Sequence, residues 1–206
     1  MRILKLVIFL ISVATFAQTP LTEAETLKFK EIVSKRSDGL ETLSSDFLQT
    51  KYIKMMKGAA ISNGRLYYMA PDILKWEYRQ PYNYKILFKD DKLIIDDDGY
   101  KTVTDLKSNK LFEKLVTLIS GSINGKLLED KKNYDVSYFK TTNLISAVIV
   151  PKDNAIRDMF NQIILLFDRN LVVITVRLME ASGDYTEIDF KNIRFNQPIP
   201  PSVFQN

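Results

Sequence analysis

The chain has 206 residues, with 29 basic and 25 acidic side chains and an apolar share of 46%, which suits one domain with its own core. It contains neither His nor Cys, so a histidine base, a thiol nucleophile, a disulfide and the commonest metal ligands are excluded. Basic and acidic residues alternate without a long block of like charge, and no nucleic-acid partner is predicted.

The first 17 residues have the layout of a secretory signal peptide. Arg2 and Lys5 precede an apolar run over residues 6–16, and Ala17 ends a small-residue cleavage site. An uncleaved anchor is the alternative, but the run is short for a stable membrane span. The absence of Cys also excludes a lipid anchor on a lipobox cysteine. We therefore expect a signal peptide over residues 1–17 and one soluble domain over residues 18–206, located in the periplasm of a Gram-negative bacterium.

The next elements are one helix and a long series of strands. Thr22 and Glu25 form a capping-box pattern before an apolar helical periodicity that ends near Gly39. From there the apolar residues recur with period two, and turn pairs such as Asn63-Gly64 and Asp98-Gly99 separate the segments. The predicted strands are 43–56, 60–69, 73–79, 84–89, 92–96, 100–105, 134–141, 144–151, 162–168, 171–181 and 185–195. Short strands joined by tight turns predict a mainly β fold, an antiparallel, strongly curved sheet or barrel of about eleven strands.

A second helical segment, 108–120, separates the two halves of the β region and is followed by Gly121 in a C-cap position. Its apolar stripe is wider than packing on a single neighbour requires. The segment is either a plain core helix or a lid over an apolar concavity. In the second interpretation the lid residues are Leu111, Leu115, Leu118 and Ile119.

Three neighbouring predicted strands share an apolar, partly aromatic face. On the strand that contains the single tryptophan, Lys75, Glu77 and Arg79 fall on the opposite face, which is predicted to be wet. Such alternation is typical of a barrel core filled by its own side chains, and it also suits the wall of a ligand cavity. Both interpretations stay open at this point. The inward-facing residues are Leu66, Tyr68, Leu74, Trp76, Tyr78, Ile86 and Phe88.

No motif indicates catalysis or a cofactor. The segment Gly121-Ser122-Ile123-Asn124-Gly125 places its Ser outside the order of a nucleophile elbow, and no His is present to act as its base. The run Asp96-Asp97-Asp98-Gly99 lacks the ligand spacing of a calcium loop and is interpreted as an exposed hairpin turn. The sequence therefore predicts a protein that is not an enzyme.

Several short motifs, in a fixed order, resemble those of the LolA family of periplasmic lipoprotein carriers. Each motif is weak alone, but their order is fairly specific and extends over the chain after residue 17. The first three are Phe47-Leu48-Gln49, Gly64-Arg65-Leu66 and the segment from Pro71 through Trp76 and Tyr78 to Pro81. The closing segments 163–168, 172–178, 183–186 and 190–204 also resemble the end of the family pattern.

The resemblance implies a half-open, eleven-stranded barrel whose mouth is closed by helices, with an apolar cavity for acyl chains and no cofactor. It implies that Leu74, Trp76 and Tyr78 face the cargo. The expected partners are the acyl chains of lipoproteins or other lipids, an inner-membrane ABC-type complex that releases lipoproteins, and an outer-membrane acceptor.

One position departs from the family pattern. Many members have an Arg before the Pro that opens the tryptophan strand, where it latches the lid in the empty state, and this chain has Ala70. A methyl group donates no hydrogen bond. A carrier of the same fold for another lipid or apolar biosynthetic product, and an envelope binding domain without a transport role, therefore stay open as alternatives.

Overall fold

The computed structural model describes residues 18–106, 114, 121 and 125–205. Within this part of the chain, twelve strands form one sheet in which every neighbouring pair is antiparallel. The strands are β1 (Thr19–Pro20), β2 (Thr42–Tyr52), β3 (Ala59–Met69), β4 (Ile73–Gln80), β5 (Tyr84–Lys89), β6 (Lys92–Asp97), β7 (Tyr100–Asp105), β8 (Tyr134–Lys140), β9 (Ile145–Pro151), β10 (Gln162–Phe167), β11 (Val173–Met179) and β12 (Tyr185–Phe195).

The spatial order of the strands is β1-β8-β9-β10-β11-β12-β2-β3-β4-β5-β6-β7, so the sheet is open and ends at β1 and at β7. The predicted mainly β, half-open antiparallel fold is confirmed, and each of the eleven predicted strands is present with small shifts at its ends. Strand β1, which has two residues and contains a proline, was not predicted from the sequence. Too short to show alternation, β1 is defined only by its pairing with Phe139 and Lys140 of β8.

Helix α1 (Glu23–Asp38) begins at the predicted capping box. The Thr22 hydroxyl accepts a hydrogen bond from the Glu25 amide, and the Glu25 carboxylate accepts one from the Thr22 amide at 2.9 Å. The helix crosses the inner face of the sheet, where the Phe29 ring lies 5.4 Å from that of Tyr138 on β8 and 5.0 Å from that of Phe167 on β10. Leu27, an apolar residue of α1, is 64% exposed.

Three short helices complete the described elements: α2 (Asn154–Met159) between β9 and β10, and the 3₁₀ helices Lys126–Leu128 and Pro201–Phe204. The predicted helix over 108–120, including Leu111, Leu115, Leu118 and Ile119, lies outside the described residues. At Lys114, the ammonium group pairs with Asp153, which caps α2. No helix in the described part of the chain is long and apolar enough to cross a bilayer.

Two apolar clusters fill the interior. One lies between α1 and strands β8–β11, and the other lines the inner face of β2–β6. Phe190 of β12 packs against both clusters and joins them. The core therefore follows the curved sheet from one half to the other.

The outer face of β4 and β5, which carries Lys75, is less exposed to solvent than predicted. The Lys75 ammonium donates a hydrogen bond of 2.8 Å to the Val203 carbonyl, and the Phe204 ring meets Tyr67 edge-on at 6.4 Å. Leu87 is buried on this face. Burial under the C-terminal segment lowers the pKa of Lys75 from its ordinary value. The segment thus covers a strip of the outer face that alternation alone assigned to solvent.

Candidate functional site

The structure brings all seven predicted inward-facing residues together on β3, β4 and β5. Cross-strand pairing places Leu66, Trp76 and Ile86 in one row across the sheet. A second row contains Tyr68, Leu74 and Phe88, and Tyr78 pairs with Gly64 and Tyr84 in a third. All seven side chains belong to the apolar cluster of β2–β6 or pack against it. They therefore form one continuous wall, called here the aromatic wall.

Phe47 of β2 extends the aromatic wall, although the sequence analysis used it only as part of a motif. Its ring lies 5.0 Å from the Trp76 ring and 5.2 Å from the Tyr78 ring. The position opposite on β3 is Gly64, where a methyl group would lie 2.8 Å from the Phe47 ring and 1.9 Å from the Glu77 carbonyl oxygen. Because Gly64 has no side chain, the Phe47 ring can pack against this position on the inner face.

Two polar groups of the aromatic wall differ in their hydrogen bonding. The Tyr78 hydroxyl donates to the Gln49 side-chain carbonyl at 3.0 Å, and burial raises the pKa of Tyr78 to about 12, so the phenol stays neutral. The Trp76 indole nitrogen is buried and finds no acceptor among the described residues. A buried donor without a partner costs free energy, and such a group calls for a physical explanation.

The aromatic wall is closed in this structure. Leu66 and Leu74 expose 0% of their surface and Trp76 exposes 7%. A cavity of about 20 Å³ next to Leu66 and Phe190 and one of about 30 Å³ next to Val33 and Leu40 each have room for about one water molecule. The aromatic wall is therefore inaccessible to a ligand in this conformation.

A larger cavity of about 360 Å³ lies at the other side of α1, away from the aromatic wall. Its floor is apolar, and cations and carboxylates share its rim. Glu25 pairs there with Lys140, and this bond, together with the hydrogen bonds from Thr22, lowers the pKa of Glu25 to about 2. None of the seven predicted wall residues lines it. The lining residues are Leu21, Glu25, Lys28, Phe29, Ile32, Lys140, Thr141, Thr142, Asn143, Leu144, Ile145, Asp168, Arg169 and Leu171.

Ala70 lies in the exposed turn between β3 and β4. Its amide donates to the Glu41 carbonyl at 2.8 Å, and its methyl group offers no further bond. A different arginine ties helix α1 to the sheet. Arg36 donates to the carbonyl oxygens of Asn170 at 2.7 Å and Leu171 at 2.5 Å, in the turn between β10 and β11. No local pattern predicts this contact, because its partners are 134 and 135 residues away along the chain.

Comparisons with known proteins show a similarity in both sequence and fold. The family model described as "Outer membrane lipoprotein carrier protein LolA" matches residues 38–206. An outer-membrane lipoprotein carrier protein of Chromobacterium violaceum is 28% identical over 200 residues, covering 94% of this chain and 88% of the relative. One from Legionella pneumophila is 22% identical over 175 residues, covering 85% of this chain and 83% of the relative.

Among solved structures, a chain of the Pseudomonas aeruginosa MucA/MucB complex superimposes with a TM-score of 0.53 at 9% identity. The match covers 87% of this chain and spans 61% of the length of that chain. At this identity the likeness concerns the fold alone.

Proposed function

Because the chain belongs to the LolA family of outer membrane lipoprotein carrier proteins, we propose that it shields the acyl chains of lipoproteins and carries them from the inner to the outer membrane. In this proposal residues 1–17 are removed on export and residues 18–206 act in the periplasm. An inner-membrane ABC-type complex loads the carrier, and an outer-membrane acceptor unloads it.

The observation that carries the proposal is the aromatic wall. Five neighbouring strands, β2–β6, turn a continuous apolar surface inward, and burial of each CH₂ group is worth about 0.8 kcal/mol. Acyl chains that replaced the protein's own covering groups on this wall would be kept from water over much of their length. Binding then needs no energy source in the carrier itself, because contacts between the wall and the protein's covering groups are replaced by contacts between the wall and the acyl chains.

Arg36 provides backbone hydrogen bonds of a kind that Ala70 cannot make. Ala70 has no side-chain donor, whereas the Arg36 guanidinium holds α1 to the turn between β10 and β11 with two bonds to backbone carbonyls. Charge-assisted bonds of this kind are stronger than those between neutral groups. They hold α1 on strands β8–β11, whereas no residue of α1 belongs to the cluster of the aromatic wall.

The Trp76 indole N–H supplies a test of where the cargo lies. Lipoprotein acyl chains are attached through ester and amide groups. The carbonyl oxygens of these groups could accept a hydrogen bond from the Trp76 indole N–H, which has no acceptor among the described residues. Trp76→Phe keeps an aromatic ring but removes the donor. We expect its affinity for a synthetic triacylated lipopeptide to fall about tenfold, while the free energy of unfolding of the empty protein changes by about 1 kcal/mol or less, because the lost packing and the relieved donor have opposite signs.

Isothermal titration calorimetry of the processed chain measures this affinity, with the unacylated peptide as the ligand control. Tyr138→Phe is the matched control variant, since its hydroxyl is also buried without a partner among the described residues but lies in the other cluster. It should bind like the wild type. Equal binding by wild type and Trp76→Phe would show that the indole N–H does not contact the cargo. An absence of heat with the wild type at every temperature tested would refute the carrier proposal, because apolar burial changes the heat capacity and gives a binding heat away from the temperature at which the enthalpy is zero.

A second candidate, a carrier of another lipid, is favoured by the exposed Ala70 in place of the family arginine. The same titration distinguishes the two candidates when diacyl phospholipid replaces the lipopeptide. Tighter binding of the phospholipid would favour the second candidate.

A further inference from the structure

Two adjacent turns at one end of the sheet expose apolar side chains. The turn between β2 and β3 contains Met55, which is 96% exposed, and Met56, which is 57% exposed. The turn between β4 and β5 contains Tyr82, which is 78% exposed. Because β3 pairs with both β2 and β4, the two turns lie at the same end of the sheet. The β2–β3 hairpin extends further, since β4 ends opposite Asn63 whereas β3 begins at Ala59. Residues 53–58 and 81–83 together are called the methionine tip.

Backbone contacts hold the methionine turn in place. The Met56 amide donates to the Ile53 carbonyl at 2.9 Å, and the Lys54 amide donates to the Asp184 carboxylate at 2.8 Å. Asp184 belongs to the neighbouring turn between β11 and β12. The exposure of the methionines is therefore a property of an ordered, anchored turn. At the base of the tip, Tyr52 stacks on Tyr185 at 4.4 Å, which adds an amphipathic aromatic pair.

The charges around the tip are mostly positive. Segments 51–58 and 79–83 contain Lys51, Lys54, Lys57 and Arg79 and no carboxylate. In the adjacent turn, Glu180 pairs with Lys51 at 3.3 Å, and Asp184 accepts from the Lys54 backbone. No ion pair among the described residues engages the side chains of Lys54, Lys57 or Arg79.

Acidic residues lie beyond the Tyr82 turn, on the side away from the methionine turn. The turn between β6 and β7 follows Asp96 and Asp97 and contains Asp98. From the strand spacing, this turn lies about 10 Å beyond the Tyr82 turn. An extended polyanion running along the whole end of the sheet would meet these carboxylates, whereas a local contact at the methionine tip avoids them.

We propose that the methionine tip docks the protein on a bilayer surface that contains anionic phospholipid. Met55, Met56 and Tyr82 enter the boundary between head groups and acyl chains, while Lys54, Lys57 and Arg79 contact phosphates. Interfacial binding grows with buried apolar area and with attraction between basic residues and anionic lipid, and this surface presents both. The contact goes beyond the carrier function, because it involves no residue of the aromatic wall and requires no cargo.

Sedimentation of the empty, processed chain with phospholipid vesicles tests the proposal. We expect binding to vesicles of phosphatidylethanolamine and phosphatidylglycerol that weakens with salt, and much weaker binding to phosphatidylcholine vesicles. The double variant Met55→Ser/Met56→Ser should partition about tenfold less, and Lys54→Glu/Lys57→Glu should lose the preference for anionic lipid. Leu27→Ser removes a comparably exposed apolar side chain from α1 and should bind like the wild type.

Thermal melts establish that the tip variants are folded, and calorimetry with the triacylated lipopeptide establishes that they still bind cargo. Vesicle binding that depends on the tip while lipopeptide binding does not would support the proposal independently of the carrier function. The proposal is overturned if wild type does not sediment with anionic vesicles, if the methionine variant sediments equally, or if both lipid compositions bind alike. Failure of lipopeptide binding with intact vesicle binding would refute the carrier function only.

Discussion

Replacing Gly64 with alanine should lower the free energy of unfolding by about 3 kcal/mol or more. The added methyl group would lie 1.9 Å from the Glu77 carbonyl oxygen and 2.8 Å from the Phe47 ring. Overpacking against side chains costs about 1–3 kcal/mol, and here the nearest atom belongs to the backbone of the paired strand, which cannot rotate away. Strands β3 and β4 would have to separate at the Tyr78 row of the aromatic wall.

Urea unfolding followed by Trp76 fluorescence measures this loss, since Trp76 is the single tryptophan of the chain. Gly39→Ala is the control, because a methyl group there meets nothing closer than the Lys35 carbonyl at 3.7 Å. Its free energy of unfolding should change by about 0.5 kcal/mol or less. Similar stability of the two variants would mean that Phe47 and Glu77 do not pack against Gly64.

Leu74→Glu should destabilise the empty protein by about 3–5 kcal/mol at neutral pH. Leu74 is fully buried between Tyr68 and Phe88 on the paired strands, so a carboxylate there is removed from water without a cation beside it. Burial raises the pKa of the new carboxyl group in the folded state above the unfolded value of about 4.3. The penalty is therefore complete above the folded pKa and disappears as the pH falls toward 4.3.

Leu74→Gln is the matched control, since it has the same size and polarity but does not titrate. Urea unfolding between pH 5 and pH 8 should give a pH-dependent difference in free energy between the two variants, with the glutamate variant less stable at the higher pH. A constant difference over this range would place position 74 in contact with water and would contradict a buried wall.

Alternation with period two was sufficient to predict the sheet. In β4 it assigned Leu74, Trp76 and Tyr78 to the inner face, and cross-strand pairing with β3 and β5 then follows from the tight turns that join these strands. Side-chain direction in a strand is fixed by the pleat, so a local pattern determines it. The same reasoning missed β1, because two residues have no period, and it assigned to solvent the face of Lys75 that the distant Val203 covers.

The structural features that were not predicted from the sequence arise from contacts between distant parts of the chain. The role of Gly64 depends on a ring from β2 and a carbonyl from β4, and the bonds of Arg36 depend on a turn 134 residues later. Whether the Trp76 indole has an acceptor depends on the packing of several strands at once. No local pattern encodes these features, since each depends on which surfaces the completed sheet brings together.

The central claim is that this protein carries acyl chains on its inner face, and native mass spectrometry tests it most directly. The protein is produced with its leader in a Gram-negative cell, released from the periplasm by osmotic shock and sprayed without detergent. We expect a chain that begins at Gln18 and carries the added mass of a triacylated lipoprotein, which the Leu74→Glu variant lacks. Recovery of the wild type only as a bare chain, under conditions in which a known lipid-binding protein keeps its ligand, would contradict the claim.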